Sequence, residues 1–163
     1  MIGEYIRLEP GDFTRALSEP EWVRSMIDEL WDAEEEGNEQ DLRLIDVDKA
    51  WHGLALVLER AGVSAAVVFG DDQVPGADDW GYGPPSSLSP ERVAELAAAL
   101  RSLDGPRAIE AVPAEVFVKE DIYPQGIWNE AGAGQYLAGH LERLTTFFVD
   151  AADAGMGIFV WLD

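Results

Sequence analysis

An α+β fold, with about five helices packed on a small mixed β-sheet in a single compact domain covering residues 1–163, is predicted by three observations. Apolar residues recur at helical spacing in several long stretches. Strand-length apolar runs stand near the start, middle and end of the chain. No linker divides it, and 163 residues with 47% hydrophobic content suit one core.

Taken in order, Ile2, Ile6 and Leu8 alternate with Tyr5, Arg7 and Glu9, which predicts a strand with one buried face, ended by Pro10-Gly11-Asp12. A short helix over Phe13 to Leu17 follows. Ser18-Glu19-Pro20 reads as a helix start with Ser18 as cap, and behind it Trp22/Val23, Met26/Ile27 and Leu30/Trp31 form one stripe. Between Asp28 and Asp41 stand eight acidic residues and no basic one, so the helix is expected to give way near Gly37 to a solvated acidic loop over residues 32–41. Leu44-Ile45 suggests a brief strand, and Asp48 is placed to cap a helix whose Trp51, Leu54, Ala55 and Leu58 share a face as far as Gly62. The apolar run Val63 to Phe69 predicts a buried strand, and Asp71 to Pro85 a long loop. Ser89 caps a helix with Pro90 in its first turn, Leu88 stapled onto Val93, and a stop at Gly105-Pro106. Ala108 to Val116 leans to helix. A last helix over Gly134 to Ala154 buries Leu137, Leu141, Leu144, Phe148 and Ala151, and a strand over Ile158 to Leu162 completes the chain.

Composition narrows the function classes. The formal net charge is -21, from 32 Asp and Glu against 11 Lys and Arg, which repels a phosphate backbone, so no nucleic acid partner is expected. The same charge suits a basic protein partner, or plain solubility. Without cysteine there is neither a disulfide framework nor a thiolate metal site. The N-terminal residues show no basic region followed by an apolar run, and no stretch reaches the roughly 18 apolar residues of a membrane span. A cytoplasmic protein without membrane contact is expected.

Chemistry-bearing residues concentrate in Leu44 to Gly53. Asp48 and His52, four apart on a predicted helix, would share a face, as a carboxylate orienting a general acid or base requires; alternatively Asp48 only caps the backbone. His140, on the edge of the last helix's stripe, reads as a hydrogen-bonded flank residue. Two histidines and no H-E-x-x-H give no support for a zinc or transition-metal site, and the Asp71–Gly76 stretch fails the EF-hand pattern at Pro75 and Tyr82. Gly81-Tyr82-Gly83 is no dinucleotide fingerprint, and neither a Walker sequence nor a G-x-S-x-G elbow occurs, so no cofactor is expected. Trp51, Trp80, Tyr82, Tyr123 and Trp128 stand at helix starts or in loops, where they either line a groove or pin irregular backbone to the core.

The run Asp46-Val47-Asp48-Lys49-Ala50-Trp51-His52-Gly53, then Tyr82-Gly83-Pro84 leading through Leu88-Ser89-Pro90-Glu91 into a helix, then Ile122-Tyr123-Pro124 with Ile127-Trp128, resembles the bacterial YfbM-like family, a domain of unknown function. The motifs span nearly the whole chain. The resemblance implies a compact α+β single domain and brings no activity, cofactor or catalytic residue. The acidic stretch 32–41 lies outside the family pattern.

Two functional readings remain open at the level of sequence. One is a non-enzymatic binding protein of the antitoxin or immunity type, with an acidic surface for a basic protein partner. The other is a small enzyme or ligand sensor with a groove around Trp51, His52, Tyr82, Tyr123 and Trp128. Asp46, Asp48, Lys49, Trp51, His52, Tyr82, Tyr123 and Trp128 are the expected ligand- or partner-binding residues, with no metal among their roles.

Overall fold

A strand that reads Gly-Ile-Phe-Val-Trp-Leu has no polar face to offer water, and such a sequence is stable only where both sides are covered. In the computed structural model, which describes residues 1–37 and 41–163, this strand is the middle of a five-stranded sheet. The strands are β1 (Gly3–Leu8), β2 (Leu44–Asp46), β3 (Asp72–Gln73), β4 (Ser86–Leu88) and β5 (Gly157–Leu162), in the order β2-β1-β5-β4-β3. β1 and β5 pair along their whole length, from Gly3 opposite Leu162 to Leu8 opposite Gly157.

Eight α-helices are present among the described residues: α1 (Pro10–Ser18), α2 (Pro20–Glu35), α3 (Trp51–Arg60), α4 (Ala66–Phe69), α5 (Pro90–Arg101), α6 (Gly105–Glu110), α7 (Ala114–Lys119) and α8 (Ala133–Asp153). They cover the sheet unequally. On one face Ile6, Leu8, Phe159 and Trp161 pack with Phe13, Val23 and Ile27 of α1 and α2. On the other, Tyr5, Leu88, Ile158 and Val160 join the larger cluster built by α3, α5 and α8. Full burial of each such aliphatic or aromatic side chain contributes about 1.5–3 kcal/mol, so these two apolar layers hold the sheet. No helix of the described residues is long and apolar enough to cross a membrane.

The α+β class holds, and several local expectations change. The sheet is antiparallel throughout rather than mixed. β1 is buried on both faces, Tyr5 towards α8 and Ile6 and Leu8 towards α1, because it lies inside the sheet and not at an exposed surface. Pro10 opens α1 instead of only ending the strand. Ser18 does not cap α2: its hydroxyl donates to the Arg15 carbonyl, and Glu19 stands at the cap without a side-chain bond. The run Val63 to Phe69 is not a strand; its last four residues form the single turn α4, whose Ala66 N–H donates to Ser64 Oγ. A short apolar run carries no period, and here the serine and Gly70, at φ +71°, frame a turn. The segment from Asp71 to Pro85 contains β3 and buries Val74 and Trp80. Ser89 caps α5 as expected, accepting from Arg92 N at 3.2 Å. Gly105-Pro106 begins α6, capped by Asp104, rather than serving only as a stop, and the helical reading of Ala108 to Val116 is realised as two helices split at Pro113. Of the expected acidic loop, residues 38–40 lie outside the described residues.

Tyr5 sits edge-on to Phe147 and Phe148 at 6.3 and 6.4 Å, and its hydroxyl is buried without a hydrogen-bond partner among the described residues. An unpaired buried hydroxyl costs roughly 1–3 kcal/mol. Tyr5→Phe is therefore expected to leave stability unchanged or raise it by about 1 kcal/mol in urea unfolding; a clear loss would show that the hydroxyl has a partner.

Candidate functional site

The Asp46–Gly53 run does not form one continuous helix. Val47 N–H donates to Gly3 C=O at 2.8 Å, which holds the exit of β2 against β1, and Asp46 Oδ1 accepts from Asp48 N at 2.9 Å. That side-chain turn carries Asp48 into the left-handed region at φ +45°, and a 3-10 turn over Asp48–Ala50 leads into α3. Asp48 consequently does not cap α3. Its Oδ2 accepts instead from the Tyr136 hydroxyl of α8 at 3.0 Å.

Tyr136, His140 and Arg143 follow one another along one face of α8, and all three meet the two aspartates' side of the run. Arg143 approaches Asp46 Oδ2 at 4.0 Å, and the His140 ring meets Tyr136 edge-on at 4.7 Å. Burial and then the bond to Asp48 push the Tyr136 phenol up. Burial, reinforced by Arg143, pulls His140 down against the opposing pull of Asp46 and Asp48. His140 Nδ1 is buried without a partner among the described residues, so the expected hydrogen bond of this flank residue is not made there.

The other half of the run faces elsewhere. Trp51 donates its indole N–H to Met1 C=O at 3.3 Å and stacks on both His52 (4.9 Å between ring centroids) and Tyr123 (5.7 Å). His52 Nδ1 accepts from Tyr123 N at 3.0 Å, which leaves the proton of the neutral ring on Nε2. Burial lowers the His52 pKa, with Asp121 opposing. Asp48 and His52 thus bond to different partners and form no acid–base pair, because the 3-10 turn and the positive φ at Asp48 break the helical spacing that would align them.

The five aromatic-groove residues also separate. Trp128 is buried beneath α3, its N–H donating to Ile122 C=O at 2.8 Å and its ring stacked on Phe117 at 4.7 Å. Tyr82 is 68% exposed and lines a different, small cavity of about 130 Å³ with Phe69 and Pro84. Only Trp51, His52 and Tyr123 meet, and they meet as a packed stack rather than as the walls of a cleft.

An open groove of about 360 Å³ lies beside Asp48 and Lys49, walled by Pro124, Ile127, Glu130 and Tyr136. Two wider grooves, of about 410 Å³ between α5 and α8 and about 420 Å³ between β2 and α8, hold none of the expected site residues. The expected site residues Asp48 and Lys49, not size, single out the groove at Asp48. Among the described residues no three His, Asp or Glu side chains are placed to hold a metal ion.

One group that sequence reasoning missed is Glu4. It lies across from Asp46 in the β1–β2 register, and burial, then Asp46, Asp163 and Glu34, raise its pKa to about 7 against the lowering influence of Arg24. The available signal was a lone carboxylate at two-residue spacing from Ile6 and Leu8, on their face of the strand.

A protein-family model described as "Domain of unknown function (DUF1877)" matches residues 1–161. Among solved structures, one titled as a protein of unknown function, YfbM from Escherichia coli, superposes with a TM-score of 0.67 at 18% identity, covering 98% of each chain, which is a likeness of fold. No curated protein matches.

Two outcomes follow. A Cβ on Gly53 would lie 2.5 Å from the Trp128 ring, so Gly53→Ala is expected to cost about 1–3 kcal/mol in urea unfolding by forcing Trp128 off Phe117. Glu4 has a raised folded-state pKa, so the stability tied to its proton is complete below about pH 4.5 and is lost as pH climbs through about 7. Glu4→Gln is expected to gain about 1–2 kcal/mol over the parent at pH 8, an amount tempered by the water that still reaches the side chain, and nothing near pH 4.5. Equal differences at both pH values would contradict this.

Proposed function

The chain belongs to the DUF1877 family, the YfbM-like family that its Asp46–Gly53 run resembles, and from that premise we propose that residues 1–163 act as one domain, a non-enzymatic cytoplasmic binding protein of the antitoxin or immunity kind that recognises a basic protein partner. The observation carrying this reading is a charge excess that the fold does not consume. Of 11 basic residues, eight arginines are already ion-paired, leaving most of the 32 carboxylates without a cationic neighbour among the described residues. The second half of α2 concentrates the excess. Glu29, Asp32, Glu34 and Glu35 are exposed there, and among the described residues only Asp28 has a basic partner, Arg24 at 3.1 Å.

Such a field accelerates encounter with a cationic protein and fixes its orientation, and salt weakens both effects. The histidine arrangement supports the non-enzymatic side. His52 spends Nδ1 on a backbone N–H, and burial disfavours its charged form, so its ring serves packing.

A second reading, a small enzyme or ligand sensor, is favoured by one observation: the groove beside Asp48, where a carboxylate, a phenol and Lys49 face one open volume of about 360 Å³. The two readings part experimentally. Capture from native lysate, followed by reconstitution from purified components, is expected to yield a basic protein whose affinity falls several-fold as salt rises from about 50 to about 200 mM. Salt-insensitive binding, or capture of acidic proteins only, overturns the first reading. Thermal stabilisation by a neutral or anionic metabolite that Tyr136→Phe abolishes would establish the second.

A further inference from the structure

The groove at Asp48 differs in chemistry from the other concave surfaces. Pro124, Ile127 and Ala133 line it with apolar surface, Asp48 and Glu130 line it with carboxylates, and Lys49 is its one cation. Neither of these two carboxylates belongs to an ion pair among the described residues. Asp48 commits Oδ2 to the Tyr136 hydroxyl, which fixes the carboxylate's direction, while Oδ1 has no hydrogen bond among the described residues. The α5–α8 groove, by contrast, carries a single charge, Glu142, and the β2–α8 groove balances Arg7 and Arg143 against Glu142 and Asp150.

We infer that this groove is the seat of a basic side chain of the protein partner, arginine above lysine, with its methylene stem along Pro124 and Ile127 and its cationic head between Asp48 and Glu130. The inference rests on the reading of the protein as a binder of a basic partner and names the place of contact. Long basic side chains lay their stems on apolar surface and keep the charged end at polar groups, which is the division this groove offers. A guanidinium has a planar fork of donors that matches carboxylates better than an ammonium does. Lys49 is exposed and carries no ion pair among the described residues, so it is a like charge that an incoming cation must tolerate. Its effect therefore has a sign that depends on the occupant: removing Lys49 favours a cation and disfavours an anion.

The test uses acetyl-Ala-Arg-Ala-amide, its citrulline counterpart, and polylysine, each titrated into the ¹⁵N-labelled full chain. The arginine peptide is expected to give saturable amide shifts at Asp48, Lys49, Glu130 to Ala133 and Tyr136, and the citrulline peptide none. Glu130 is exposed, with its side chain in none of the hydrogen bonds among the described residues, so Glu130→Gln is expected to weaken binding about threefold to fivefold while keeping the fold. Lys49→Gln is expected to strengthen it about twofold to threefold, and Glu34→Gln with Glu35→Gln on α2 to leave it unchanged. Shifts spread over the whole acidic surface, equal sensitivity to the α2 pair, or weaker binding in Lys49→Gln would overturn the groove assignment. If polylysine still bound in those cases, the basic-partner reading would stand without it; if neither probe bound, that reading would fall as well.

Discussion

The β1–β5 ladder is the constraint on which the remaining structure depends. Its six register pairs lie between two apolar layers, so every side chain of β5 before Leu162 is buried. A strand of this kind is fixed in register, since a slip by one residue would exchange the Phe159 and Trp161 face for the Ile158 and Val160 face. β2 then has a defined edge to join, and its short pairing with β1 sets where the Asp46–Gly53 run leaves the sheet. The site geometry is inherited from that exit point.

From there the run divides its chemistry between two neighbours. Asp46 and Asp48 face α8, while Trp51 and His52 face the loop of Tyr123. The division is enforced by backbone geometry: the Asp46 side-chain turn and the positive φ of Asp48 rotate the chain before α3 begins. Gly3 and Gly53 make the packing possible. A Cβ on Gly3 would fall 2.8 Å from Val47, and one on Gly53 would displace Trp128, so both positions require the smallest residue because aromatic or branched side chains occupy the space.

The acidic surface imposes a cost and an opportunity together. Burial, and after it the carboxylates around Glu4, raise its proton affinity, which ties stability to pH near neutrality. Exposed carboxylates on α2, of which only Glu34 acts on Glu4, remain available to a cationic partner. Arginines, by contrast, are largely committed to internal pairs, including Arg60 with Glu120 and Arg101 with Asp153.

Periodicity over long segments was readable from the chain itself. The α2, α5 and α8 helices, the Ser89 cap and the closing strand follow from spacing and cap chemistry, because those signals act within a few residues. The YfbM-like motifs were legible as well, since they are matters of residue order. Short apolar runs were not: Val63 to Phe69 has strand composition, and only Ser64, Gly70 and the packing of α4 under the sheet select a helical turn. The site was half legible. Its residue types stood out as Asp46, Asp48, Lys49, Trp51 and His52, but the partners of the two aspartates, Tyr136 and Arg143, lie more than 80 positions away. Which side chains meet across such a separation is set by helix docking onto a sheet, a property of the assembled core that no local pattern encodes.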